Sequence, residues 1–154
     1  VIRPDGKPGI FGVVTLLAGV SVLPMTEDGY VYITEEYRYG VERDSIEAAS
    51  GGMEEGQTAL ETAKKELQEE TGLTAEEWYD CGMVDPLTSV MVAPQRLFIA
   101  RGLRQGESNP EGTEVITMHK KKLDDLYQMV INGEITHAPT CVLILRAKLL
   151  SIGK

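Results

Sequence analysis

The apolar positions of this chain fall in short blocks separated by glycine, proline and acidic turns. Gly6, Pro8 and Gly9 mark an early turn. Ile10 to Leu23 is a nearly continuous apolar run that reads as one or two strands, with Val13 to Leu23 as a buried strand. Asp28-Gly29 then stands between two apolar runs, the dipeptide that best predicts a hairpin, and Tyr30 to Tyr39 is the returning strand. Ser45 to Ala49 reads as a short strand leading into Gly51-Gly52. Apolar spacing changes to the helical period over Thr58 to Thr71. Thr58 and Glu61 make a capping box at its start, and Gly72 stands where a C-terminal glycine cap belongs. Trp78 to Val84 and Gln95 to Leu103 read as strands, Gly106 to Thr113 as a polar loop and Glu114 to His119 as a further strand. Leu123 to Ile131 and Thr140 to Leu150 read as helices, the second with Pro139 near its first turn. Strands and helices mix without strict βαβ alternation. The expected fold is therefore α/β, a mixed sheet with helices on both faces.

The length, 154 residues, suits one domain spanning the whole chain, and an apolar fraction of 42% is ordinary for a globular protein. No apolar run approaches the roughly 18 residues that a membrane span needs. The chain opens on Val1 and not on Met, so it is expected to be truncated at its N-terminus. A net charge of −9 argues against nucleic acid as a partner, because phosphate backbones require a basic surface. It leaves room for a small phosphorylated ligand held through a metal. Cys81 and Cys141 form no CxxC pair, which points to a reducing, cytoplasmic setting. His119 and His137 lie in no zinc-ligand spacing and read as ordinary polar or core histidines.

The chemistry concentrates in Gly51 to Leu73, GGMEEGQTALETAKKELQEETGL. At about 100° per residue, Glu66, Glu69 and Glu70 project within roughly 100° of one another. Leu60, Ala63 and Leu67 form a neighbouring apolar stripe, so the acids should stand at the rim of the core. They are poorly placed for helix stability. Glu66 and Glu70 are like charges four apart, costing about 0.2–0.5 kcal/mol, and all three acids lie near the C-terminal end, where the dipole disfavours each by roughly 0.3–1 kcal/mol. A divalent cation would reverse both penalties. Mg²⁺, or Mn²⁺, suits such hard oxygen donors.

This segment resembles the Nudix box: Gly, five residues, Glu, seven residues, Arg-Glu, an aliphatic, any residue, Glu-Glu, any residue, Gly and an aliphatic. Gly51, Glu66-Leu67, Glu69-Glu70 and Gly72-Leu73 match it. Gln57 replaces the first Glu of the box and Lys65 its Arg, two positions that mainly support the loop and helix geometry. The resemblance implies a Nudix-type α/β/α sandwich, with Glu66, Glu69 and Glu70 as metal ligands and Ser50 as the backbone-carbonyl ligand just before the first box glycine.

The likeness covers most of the chain and is to the ADP-ribose pyrophosphatase branch. Glu35 to Tyr39 is similar to the strand before the box in that branch, Ile46 to Gly52 to its approach to the box, and Gly133 to Leu150 to its C-terminal stretch. On that match Arg38 contacts phosphate and Glu47 touches substrate. Glu111, in the loop Asn109 to Glu114, is a further metal ligand or the general base. Gln95 stands near where many relatives carry an acid. The branch commonly pairs through its N-terminal strands, which implies a homodimer.

The implied activity is Mg²⁺-dependent hydrolysis of the diphosphate linkage in a nucleoside diphosphate derivative, ADP-ribose or a nucleotide-sugar. Two alternatives stand beside it. One is a nucleoside triphosphate pyrophosphohydrolase of the same fold. The other is a ligand-binding protein with a decayed site, supported by Gln57, Lys65 and Gln95 and opposed by the intact Glu66, Glu69 and Glu70.

Overall fold

The computed structural model of the chain describes residues 1–106 and 115–150. In chain order the elements are β1 (Val14–Thr15), β2 (Gly19–Pro24), β3 (Tyr30–Arg38), β4 (Arg43–Glu47), β5 (Ala49–Gly52), α1 (Ala59–Thr71), β6 (Leu73–Val84), β7 (Met91–Val92), β8 (Gln95–Gln105), β9 (Thr117–Lys122), α2 (Leu123–Ile131) and α3 (Ala138–Leu149). The central sheet runs β5-β2-β8-β6; a second runs β4-β3-β9, and β1 pairs with β7. In the central sheet β2 and β8 are parallel and the other pairs antiparallel, so the sheet is mixed, as expected.

Both faces of this sheet are covered. Along β2 and β8, Val20, Val22, Phe98 and Ala100 turn to one side and pack with Ala63 and Leu67 of α1. Leu23, Leu97 and Ile99 turn to the other and pack with Leu143, Ile144 and Ala147 of α3 and Leu126 of α2. A strand buried on both faces reads as a continuous apolar run rather than an alternating one, which is why β2 was legible. The arrangement is an α/β/α sandwich. Among the described residues no helix is long and apolar enough to cross a membrane.

Several boundaries differ from expectation, each for a physical reason. Only Gly19–Pro24 of the long N-terminal run is buried; Val13, Val14, Leu16 and Leu17 are 53, 53, 53 and 74% exposed. Strand β1 has just the two-residue β7 to pair with, so it leaves the core. Residues 45–49 are not one strand. The chain passes between the two sheets at Ala48, whose buried N–H, lost to both ladders, is accepted by Thr140 Oγ1 at 2.8 Å. Strand β6 begins directly after the helix at Leu73 rather than at Trp78, and β9 starts at Thr117 rather than Glu114. Asp28-Gly29 does form the turn, with Gly29 at φ 81°, although the strands it joins belong to different sheets.

Helix α1 has both of its expected ends. Thr58 and Glu61 satisfy each other's backbone N–H reciprocally, and Gly72 closes the helix at φ 69°. Its buried stripe, however, is Thr62, Ala63, Leu67 and Thr71, while Leu60 is 37% exposed. By helical geometry Glu66 and Glu70 project between Thr62 and Ala63. The acids therefore interrupt the inner face of the helix instead of bordering it.

Candidate functional site

Strand β5 lies beneath that inner face. The Ser50 N–H donates to Glu70 Oε1 at 3.2 Å. Gly51 leaves the space that the carboxyl group of Glu66 occupies: a Cβ there would displace that carboxyl from the strand. Two carboxylates thus converge on adjacent residues of one strand. Ser50, Gly51, Gly52, Glu54, Lys65, Glu66 and Glu69 line a pocket of about 170 Å³ at this point.

The loop between β5 and α1 explains the two departures from the box. Gln57 accepts from Thr62 Oγ1 at 2.9 Å and gives its amide N–H to Glu54 Oε2 at 3.2 Å. Lys65 Nζ binds Glu54 Oε1 at 2.8 Å and stands 3.8 Å from Glu69. Glu54 therefore supplies the carboxylate that joins loop to helix. Sequence reasoning missed it, because Glu54 carries no box position.

Beyond the acids the groove continues into a cavity of about 370 Å³ whose walls include Arg38, Glu47, Ser50, Gln95 and His137. It runs on into an apolar one of about 490 Å³, walled in part by Leu16, Val41, Met91, Ala93 and Pro139. Arg38 and Glu47, predicted separately, are brought together. Arg38 Nε and Nη2 hold Glu47 at 3.2 and 2.9 Å, and Nη1 pairs with Glu36 at 2.8 Å. Burial pushes the Glu47 carboxyl up, but the Arg38 hydrogen bond, His137, Ser45 and the Arg38 charge outweigh it, so its pKa falls below the ordinary carboxylate value. Burial works against the Arg38 cation, yet Glu47, Glu36 and Glu70 carry its pKa upward.

Gln95 Oε1 accepts from Ser21 Oγ at 2.9 Å, and the two serine hydroxyls of residues 21 and 50 meet at 2.9 Å. Gly19 leaves space for the Gln95 amide, which a Cβ would meet at 2.9 Å. His137 lines both larger cavities, a place that its position in the sequence did not reveal. His119 pairs with Glu35 at 2.6 Å on β3. Glu111 and the loop Asn109 to Glu114 lie outside the described residues.

The fit to a metal rests on the donor set. Glu47, Glu54, Glu66 and Glu69 line the groove, and Glu36 and Glu70 bond to its wall residues Arg38 and Ser50, against Arg38 and Lys65 among the described cations. No three His, Cys, Asp or Glu side chains among the described residues are gathered tightly enough to close a metal site alone. Mg²⁺ does not need such a cage. It keeps waters and binds through one or two carboxylates plus substrate phosphates. Glu66 and Glu70 over Ser50–Gly51 present hard oxygens in that number.

Comparison with known proteins places this geometry in a family. The NUDIX domain matches residues 15–135. The chain is 26% identical over 149 residues to the methanol dehydrogenase activator of Bacillus methanolicus. It is 27% identical over 148 residues to the ADP-ribose pyrophosphatase of Bacillus subtilis (strain 168). Each match covers 92% of this chain and 77% of the relative. The crystal structure of an ADP compounds hydrolase superposes with a TM-score of 0.85 at 18% identity, over 99% of this chain and 84% of that one, a likeness of fold. The chain belongs to the Nudix family of hydrolases.

Proposed function

We propose that this protein hydrolyses the diphosphate linkage of a nucleoside diphosphate derivative, ADP-ribose or a nucleotide-sugar, with Mg²⁺ or Mn²⁺ bound. The observation that carries the reading is the convergence of Glu66 and Glu70 on Ser50–Gly51 at one end of a groove that turns apolar at the other. A diphosphate has its charge in the middle and its less polar groups outside, and the groove offers carboxylates for a metal beside an apolar chamber for a base. The kinship with a protein named ADP-ribose pyrophosphatase supports the same substrate class.

Glu66, Glu69, Glu70 and the Ser50 carbonyl would hold the cation, which when bound neutralises phosphate charge and acidifies an attacking water. Glu111 would take the proton of that water. Glu70 also fixes the Ser50 backbone, so the donors keep their spacing. Arg38 has five N–H donors, and its ion pairs with Glu47 and Glu36 leave part of the fork for phosphate. Glu47 holds that fork in place. We further propose a homodimer, because the N-terminal run exposes Ile10, Phe11, Val13, Val14, Leu16 and Leu17 together and Leu16 and Leu17 reach the groove.

The test is AMP release from ADP-ribose against pyrophosphate release from nucleoside triphosphates, each with Mg²⁺ and after rigorous chelation. Expected are a higher kcat/KM for ADP-ribose and loss of turnover with EDTA that Mg²⁺ or Mn²⁺ restores. Preference for a triphosphate moves the protein to the other activity of its fold, and undiminished hydrolysis after chelation removes the metal role.

A further inference from the structure

His137 is a groove residue to which the diphosphatase reading gives no work. It is the N-cap residue of α3, yet its side chain makes no capping bond to the helix backbone. Its Nδ1 instead lies 2.8 Å from Thr140 Oγ1. That hydroxyl already accepts the N–H of Ala48 at 2.8 Å, at the buried point where the chain changes sheets. A threonine hydroxyl has a single hydrogen to give. Its oxygen can accept two bonds, but Nδ1 is the acceptor within reach of its hydrogen among the described contacts; the arrangement that uses that hydrogen makes Nδ1 the acceptor and leaves the ring proton on Nε2. Glu47 Oε2, 3.7 Å from Nδ1, is too far to take a hydrogen bond from it.

The neutral form of the ring is also favoured. Burial pushes its pKa down, and Arg38 adds to this against the opposing pull of Glu47. A neutral donor has a particular use here. The other strong donor in this stretch, Arg38, is largely engaged by Glu47 and Glu36. A charged imidazole would instead be drawn to Glu47 and would compete with Arg38 for it. The ring walls both the polar and the apolar cavity, and with Nδ1 bonded to Thr140 the nitrogen left to serve a ligand there is Nε2.

We infer that His137 is a substrate-binding residue whose Nε2–H donates a hydrogen bond to an oxygen of the bound nucleoside diphosphate derivative, where the groove passes from polar to apolar. Thr140 is the positioning residue that fixes the ring, through the backbone break at Ala48. The inference rests on the diphosphatase reading above.

Two measurements test it together. In the full chain labelled with ¹⁵N-histidine, His137 should show the neutral Nε2–H tautomer at neutral pH, and its resonances should move when ADP-ribose is added in EDTA. In steady-state kinetics with ADP-ribose and Mg²⁺, His137→Asn keeps a donor only on the Nδ1 side. It should raise KM about ten-fold, the size of one neutral hydrogen bond, with kcat changed less than about two-fold. His137→Gln, which places an N–H near Nε2, should recover most of that loss. An Nδ1–H tautomer, or a His137→Asn enzyme with unchanged KM beside an active wild type, overturns the inference and leaves the diphosphatase reading standing. A wild type that turns over no nucleoside diphosphate derivative overturns both.

Discussion

Glu70 reaches strand β5 and takes the Ser50 N–H, whereas Gln57 reaches only Thr62 and Glu54 beside its own helix start. Glu70→Gln should therefore cost far more than Gln57→Glu changes. Removing one preorganised group that acts in the transition state is worth about 2.7–4 kcal/mol, or 10²–10³ in rate. The check is kcat at saturating Mg²⁺ for both variants, with folding followed by circular dichroism; near-native kcat in a folded Glu70→Gln protein would take Glu70 out of the catalytic metal site. Glu47 yields a pH prediction. Its folded pKa lies below the ordinary value, so its contribution to stability is present above the unfolded carboxylate pKa of about 4.3. That contribution is lost as pH falls through the folded value. Glu47→Gln should cost roughly 1–3 kcal/mol at neutral pH, the worth of hydrogen bonds to a charged group, and the gap between variant and wild-type denaturation curves should narrow below about pH 4.3. A gap that widens on acidification refutes the assignment. At this scale Glu66, Glu69 and Glu70 were legible because spacing on a helix fixes their common face. His137 and Glu54 were not. Their significance depends on Thr140, Ala48 and Lys65, which only the folded chain brings to them.

Helix α1 is the element through which structure and chemistry meet. Its apolar and threonine positions hold it on the sheet, and the same face carries Glu66 and Glu70 to β5. Whatever fixes the start of the helix also fixes the acids two turns and more downstream. Thr58→Ala removes half of the capping box and should cost about 1 kcal/mol, seen as a lower midpoint in urea unfolding with an unchanged slope. No loss of stability would show that packing alone sets this end. Helix α1 was legible because it has both a start and a stop signal and a period of its own. The sheets were less so. The break at Ala48 leaves no mark in local composition, since β4 and β5 are separated by one small residue and differ only in the sheet that each joins. The register slip between β6 and β8 near Gly82 is likewise a property of the pair and not of either strand.

At the scale of the whole molecule, the N-terminal apolar run is what the single chain leaves unexplained. Its residues have the composition of a buried strand, yet Ile10 is fully exposed and Phe11 is 60% exposed. Val90 and Val92, at 43 and 50%, extend the same patch through the β1–β7 pair. Contiguous apolar surface of this kind marks an interface more often than free surface. A sequence reads burial but not whose atoms provide it, which is why the run predicts a buried strand from Val13 onward, of which the single chain buries the part that begins at Gly19. A second copy set against this surface would cover Leu16 and Leu17 where they enter the groove, and would so complete the wall of the site. The homodimer should appear in light scattering at micromolar concentration as twice the chain mass. Phe11→Ser with Leu17→Ser should shift it to the monomer, because each buried large apolar side chain contributes about 1.5–3 kcal/mol. If the partner wall matters for binding, KM for ADP-ribose should rise in the same variant while the far-ultraviolet circular dichroism stays native. A wild-type chain that is monomeric under these conditions refutes the dimer and leaves this surface to another partner.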